Sequence, residues 1–170
     1  MTDRRQKLAE AEANANADLL AIMQRIAGTG PLDVMNVRMI IEPQAAAAAA
    51  ATATDAELAH ILRAHEAASA AGEPGLFEAL DGDFHRAIFL STRNEFLTSL
   101  QDMLGVVRSR SAWIEIKRQT FSEERRLIYC HEHGLILEAL LARDSDAAAQ
   151  AMRSHLATVN RILFGGVGLL

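Results

Sequence analysis

Apolar residues recur along this chain at intervals of three and four, and no stretch alternates in the manner of a strand. The first helix is predicted over residues 3–27, with Leu19, Leu20, Met23 and Ile26 on one stripe and Gly28 at its end. Its first half is polar and alanine-rich. Gly28-Thr29-Gly30-Pro31 reads as a linker. Asp33 is placed to cap a second helix over 34–53. In that helix Pro43 predicts a kink or a join between two pieces, and alanines fill every position from Ala45 to Ala51. Such a run lets a neighbouring backbone approach closely. Thr54-Asp55-Ala56-Glu57 spells a capping box that opens a third helix ending at Gly72. Further helices are predicted over 75–92, over 95–117 after Asn94, from Ser122 to near Arg143, and from Asp144 or Ser145 to Phe164, with Gly165-Gly166 as the stop. The expected fold is all-α, an antiparallel bundle of about six to seven helices with short connections. Residues 1–30 form an N-terminal helix and linker, 31–165 one helical bundle, and 166–170 a C-terminal tail.

Composition agrees with this pattern. Half the residues are hydrophobic and 23% are charged, which excludes wholesale disorder. Three prolines and ten glycines are too little punctuation for an all-β fold. The net charge of −5 argues against a chain that grips nucleic acid by itself. The single cysteine, Cys130, excludes an intramolecular disulfide and fits a reducing cytoplasm. No apolar run has signal-peptide or membrane-spanning length, so a cytoplasmic chain without membrane contact is expected.

Polar residues fall where the core should be. On the fourth helix Asp81 and His85, four apart, lie inside the stripe of Phe77, Phe84 and Ile88. His133 interrupts the stripe of Tyr129, Cys130, Ile136, Leu137 and Leu140, and His155 that of Ala148, Met152, Val159 and Ile162. A carboxylate buried alone costs several kcal/mol, so Asp81 needs a partner. One such histidine alone reads more readily as an ordinary core residue than as a ligand, and Asp81 with His85 equally as a hydrogen-bonded couple or a ligand pair. All four together suit a divalent metal, zinc first, with nickel, manganese or iron as alternatives. His60 and His65, on a polar, alanine-rich helix, read as solvated. His131 sits about 200° around the helix from His133 and cannot share its face. Cys130 reads as a small core thiol. Arg125-Arg126 and Arg108/Arg110 read as solvated or salt-bridged pairs. Only one Glu-x-x-His occurs, Glu57 to His60, so a bundle di-iron site fails. No glycine-rich phosphate loop, nucleophile elbow or Cys-x-x-Cys occurs.

The residues also carry a family resemblance. Val37-Arg38-Met39-Ile40-Ile41-Glu42-Pro43 before the alanines, Leu80-Asp81-Gly82-Asp83-Phe84-His85, Glu132-His133 with Ile136 and Ala139-Leu140, and Ala151-Met152-Arg153-Ser154-His155-Leu156 stand in order along residues 19–164. Together they resemble the effector-binding C-terminal (FCD) domain of the FadR subfamily of GntR-type bacterial transcription regulators. The resemblance implies a metal held by Asp81, His85, His133 and His155, and an effector carboxylate met by Arg38. An arginine suits that task because its planar fork takes a carboxylate in two-point fashion. A salt bridge from Arg38 to Glu42 on the same helix is the alternative. Tyr129, one turn before His133, is placed to donate a hydrogen bond to the effector. The resemblance further implies a homodimer that reaches DNA only through a winged helix-turn-helix. Some thirty residues precede the Arg38 helix, too few for that module, so the expectation is either a piece of a longer regulator or a stand-alone sensor. The function expected is metal-dependent sensing of a small carboxylate, not catalysis. A metalloenzyme and a metal-free dimerisation module are the rival readings.

Overall fold

A computed structural model describes residues 2–166; residues 167–170, most of the predicted tail, lie outside the described residues. The described chain forms eight helices: α1 (Thr2–Ala27), α2 (Pro31–Thr52), α3 (Asp55–Ala70), α4 (Pro74–Leu90), α5 (Glu95–Arg108), α6 (Ser111–Thr120), α7 (Glu123–Leu141) and α8 (Ser145–Phe164). The expected all-α bundle is the fold found, with one helix more than predicted.

Local chemistry sets most of the helix ends. Thr54 accepts from the Glu57 amide and the Glu57 carboxylate accepts from the Thr54 amide, so the capping box is formed. Glu73, Asn94, Ser122 and Asp144 each accept from first-turn amides of α4, α5, α7 and α8. Gly165 closes α8 in the left-handed region, at φ 67°, where a side chain would be strained. Two expectations need correction. The second helix starts at Pro31, not after Asp33: Gly30 is its cap, Pro31 its first residue, and Asp33 lies in the first turn, where a negative charge suits the helix dipole. Pro43 marks no join, because α2 runs through it unbroken.

The largest correction is the predicted helix 95–117, which divides into α5 and α6 at Ser109-Arg110. No glycine or proline marks the break. It is made by tertiary contacts: Arg108 at the end of α5 and Trp113 and Lys117 on α6 all converge on the Glu78 carboxylate. A straight helix would spread residues 108, 113 and 117 over about 14 Å of length.

The alanine tract works as a close-packing face. Ala45, Ala46, Ala49 and Ala50 are fully buried in α2, whose main neighbour is α8. Ser145 Oγ at the start of α8 donates to the Ala47 carbonyl at 3.0 Å. The core joins Phe84 and Ile88 of α4 with Ile136 and Leu140 of α7 and Met152 and Leu156 of α8. Burying each of these contributes about 1.5–3 kcal/mol. α1 packs chiefly on α5 and leaves Leu19, Leu20 and Met23 exposed.

Candidate metal centre

Four side chains from three helices meet inside this core. α4 contributes Asp81 and His85, one turn apart; α7 contributes His133 and α8 His155. One ligand atom from each lies within 4.8 Å of all the others, and all four residues are buried. His133 Nε2 is 3.3 Å from His155 Nε2 and 3.5 Å from Asp81 Oδ1. At a metal–nitrogen bond of about 2.05 Å the edge of a tetrahedron is about 3.3 Å. These two separations lie close to that edge, and the donor set suits a divalent ion such as zinc.

Carboxylates behind the rings decide which nitrogens face inward. Glu132 Oε2 lies 2.9 Å from His155 Nδ1, and its other oxygen accepts from Thr158 at 2.6 Å. Glu42 Oε2 lies 2.7 Å from His85 Nδ1, a short contact off the ring's best N–H direction. With Nδ1 of these rings protonated toward a carboxylate, their Nε2 lone pairs point at the shared centre. The Nδ1 of His133 has no partner. Its ring is held instead by stacking on Phe84, 4.4 Å between centroids and 23° from parallel. Burial, aided by neighbouring imidazoles, pushes His133 and His155 well below the ordinary histidine range, so both rings are neutral, as metal binding requires. Burial pushes the Asp81 carboxyl up, but the positive charges of Lys117 and Arg108 outweigh it and hold the group ionised.

A second layer of charge surrounds the four. Arg108 Nη2 donates to Asp81 Oδ2 and to Glu78 Oε1, both at 2.8 Å. Glu78 also accepts from Trp113 Nε1 at 3.0 Å and pairs with Lys117 at 2.9 Å. Arg38 makes the salt bridge to Glu42 that was the alternative to an effector role, at 2.6 Å, yet it also abuts the cluster, with Nη2 3.5 Å from His85 Nε2. Its Nη1 is buried with no partner. The Tyr129 ring stands edge-on to His155, 5.8 Å between centroids.

Glu42 and Glu132 were visible in the sequence as neighbours of Arg38 and His133, but periodicity gives no sign that they back histidines on other helices. Arg108, read only as solvated or salt-bridged, is buried and grips a cluster residue. His65, expected in solvent, is half-buried against Phe84, its Nδ1 without a partner. His60 and His131 are exposed, as expected. The arrangement can hold a cation. Glu42, Glu78 and Asp81 each sit against a guanidinium, and Glu132 sits against His155 and Thr158.

The family model of the FCD domain matches residues 33–158, and the chain belongs to that family. The FCD domain is a regulatory, effector-binding domain and not a catalytic one. The chain is 30% identical over 138 residues to the Uxu operon transcriptional regulator of Escherichia coli K12, covering 79% of this chain and 54% of that protein. It is 27% identical over 139 residues to the Exu regulon transcriptional regulator of the same strain, covering 81% and 53%. It is 27% identical over 162 residues to that strain's Glc operon transcriptional activator, covering 85% and 64%. The chain thus spans about half the length of the first two. The solved structure of E. coli McbR/YncC overlays with a TM-score of 0.69 at 20% identity, over 78% of this chain and 63% of that one, and so shares the fold. Among the described residues no helix is long and apolar enough to cross a membrane.

Proposed function

We propose that this chain is the sensing part of a transcription regulator, and that it binds a small carboxylate in a metal-dependent way. Asp81, His85, His133 and His155 hold the ion, zinc first, with nickel, manganese or iron as alternatives. The ion supplies a Lewis-acidic centre for an oxygen ligand, and Arg38, with its unpartnered Nη1, offers the carboxylate a guanidinium beside it. The observation that carries the reading is the convergence of three imidazole nitrogens and a carboxylate, two of the imidazoles backed by their own carboxylates. Effector binding biases helix positions that a complete regulator couples to its DNA-binding heads, in a homodimer. The relatives named as transcription regulators support this placement.

Metal analysis by mass spectrometry on dialysed, tag-free protein tests it. About one equivalent in the wild type and far less in His133→Ala is expected. Hydroxy acids and sugar acids should then raise the melting temperature only with that metal present. No metal in either protein after incubation with zinc, nickel and manganese would defeat the reading. Light scattering at tens of micromolar should return a dimer mass.

A further inference from the structure

One contact in the site sets a cation against a ligand nitrogen. Arg38 Nη2 lies 3.5 Å from His85 Nε2. That nitrogen faces the shared centre, because Nδ1 of the same ring faces Glu42. Nε2 has a single lone pair, and a guanidinium has only donors to offer it. The lone pair can turn to Arg38 or to an ion, not to both.

Distance alone puts the two charges together. An ion bonded to Nε2 at about 2.05 Å lies at most about 5.6 Å from Arg38 Nη2, whatever its direction. Water does not screen them, since Arg38 is 1% exposed and Glu42 and His85 not at all. Like charges at such range repel far more strongly in a buried site than at a surface. The Arg38 charge also reaches a second ligand. Burial is the main reason His155 lies well below the ordinary histidine range, and Arg38 adds to it.

The carboxylates around the site are already countered. Glu42 is taken by Arg38, Asp81 by Arg108, and Glu78 by Arg108 and Lys117. Glu132 backs His155 from a partly exposed position. A divalent ion adds two positive charges to this balance. Arg108 holds Asp81 by Oδ2 and leaves Oδ1 turned toward His133. Arg38 is the cation that stands against a ligand nitrogen. Its firm bond is elsewhere, from Nε to Glu42 Oε1 at 2.6 Å, whereas Nη2 reaches Glu42 Oε2 only at 3.5 Å. Arg38 can therefore draw Nη2 away from His85 and keep Glu42.

We propose that Arg38 is an internal competitor of the cluster's ion: the site takes up the ion only as Arg38 gives up His85, and the guanidinium weakens the hold on the ion. The inference rests on the metal reading and adds a regulation to it. It makes the ion exchangeable, and it carries the ion's arrival to α2, the helix that bears Arg38.

The test uses the full chain, zinc as the sole ligand and a chromophoric chelator as competitor. Arg38→Gln removes the charge and leaves an amide to donate to Glu42; it should bind zinc at least tenfold more tightly than wild type. Arg38→Lys keeps a charge beside Glu42 and should stay within about threefold of wild type. A second arm needs no variant to fold. With nitrogen-15-labelled arginine, the nuclear Overhauser effect from the Arg38 Nη2 protons to the His85 ring should be present in chelator and vanish at one equivalent of zinc. If Arg38→Gln does not fold, this arm decides. Zinc binding by Arg38→Gln no tighter than wild type, Arg38→Lys binding as tightly as Arg38→Gln, or a contact that persists with zinc bound would each overturn the proposal and leave the metal reading standing. A wild type that binds no zinc overturns both.

Discussion

Glu42 Oε2 stands 2.7 Å from His85 Nδ1, and neither side chain has any exposure. The same carboxylate holds Arg38 through its other oxygen, at 2.6 Å. α2 therefore contributes no residue to the four-residue cluster but governs one of its rings, through a single buried anion shared by two cationic or protonated partners.

Glu42→Gln keeps the shape of the side chain and removes that anion. Loss of such a supporting partner typically lowers metal affinity by about 10–100-fold. Arg38 is then left buried without its counter-charge, at a cost of about 3–5 kcal/mol. Competition with a chromophoric chelator reads the first effect and thermal unfolding the second. Wild-type zinc affinity in this variant would show that Glu42 does not orient His85.

Glu132→Gln should be the milder change. Glu132 is partly exposed, burial already pushes its carboxyl up, and Thr158 can donate to an amide oxygen as it does to the carboxylate. Zinc affinity should drop about tenfold, with a melting temperature close to wild type. A loss of stability as large as that of Glu42→Gln would contradict the distinction drawn between the two.

The metal-free protein should lose stability as pH falls through 6.5. His133 and His155 have folded-state pKa values well below 6.5, burial being the main cause. The unfolded chain takes up these protons near pH 6.5 while the folded chain does not, so their contribution is full above that pH and shrinks below it. Glu42 adds a step of the same sign. Burial raises its carboxyl, but Arg38 and His85 outweigh this and hold it far below 4.5, so its contribution is lost as pH falls below about 4.5. Melts in chelator should be flat between pH 8 and 7 and decline from about 6.5 downward. Saturating zinc should extend the plateau to lower pH, because protons and metal compete for the same nitrogens. A chelator profile that stays level to pH 5 would remove the neutral-imidazole picture.

Thr54→Ala should separate fold from site. It deletes the hydroxyl that caps α3 and costs about 1 kcal/mol, measurable in urea. Thr54 does not belong to the cluster, so zinc affinity should be untouched.

The four cluster residues were legible in sequence because each breaks an apolar stripe that helical periodicity defines, and the helix ends because caps are local signals. What was hidden depends on long-range contact. The α5–α6 break has no glycine or proline and arises because Arg108, Trp113 and Lys117 converge on Glu78 from a different helix. Glu132 faces His155, which is 23 residues away, and Glu42 faces His85, which is 43 away. No spacing rule within one helix could pair them. His65 was misplaced because its helix looks polar, while Phe84 of α4 covers it from across the interface.

One guanidinium, that of Arg108, joins Asp81 of the cluster to Glu78, the carboxylate that also holds Trp113 and Lys117 of α6. The corner between α5 and α6 and the four-residue cluster therefore lean on one ion-pair knot. A change of charge at Asp81 is felt first by Arg108 and through it by that corner, so the charge of the cluster and the set of the corner are not independent variables.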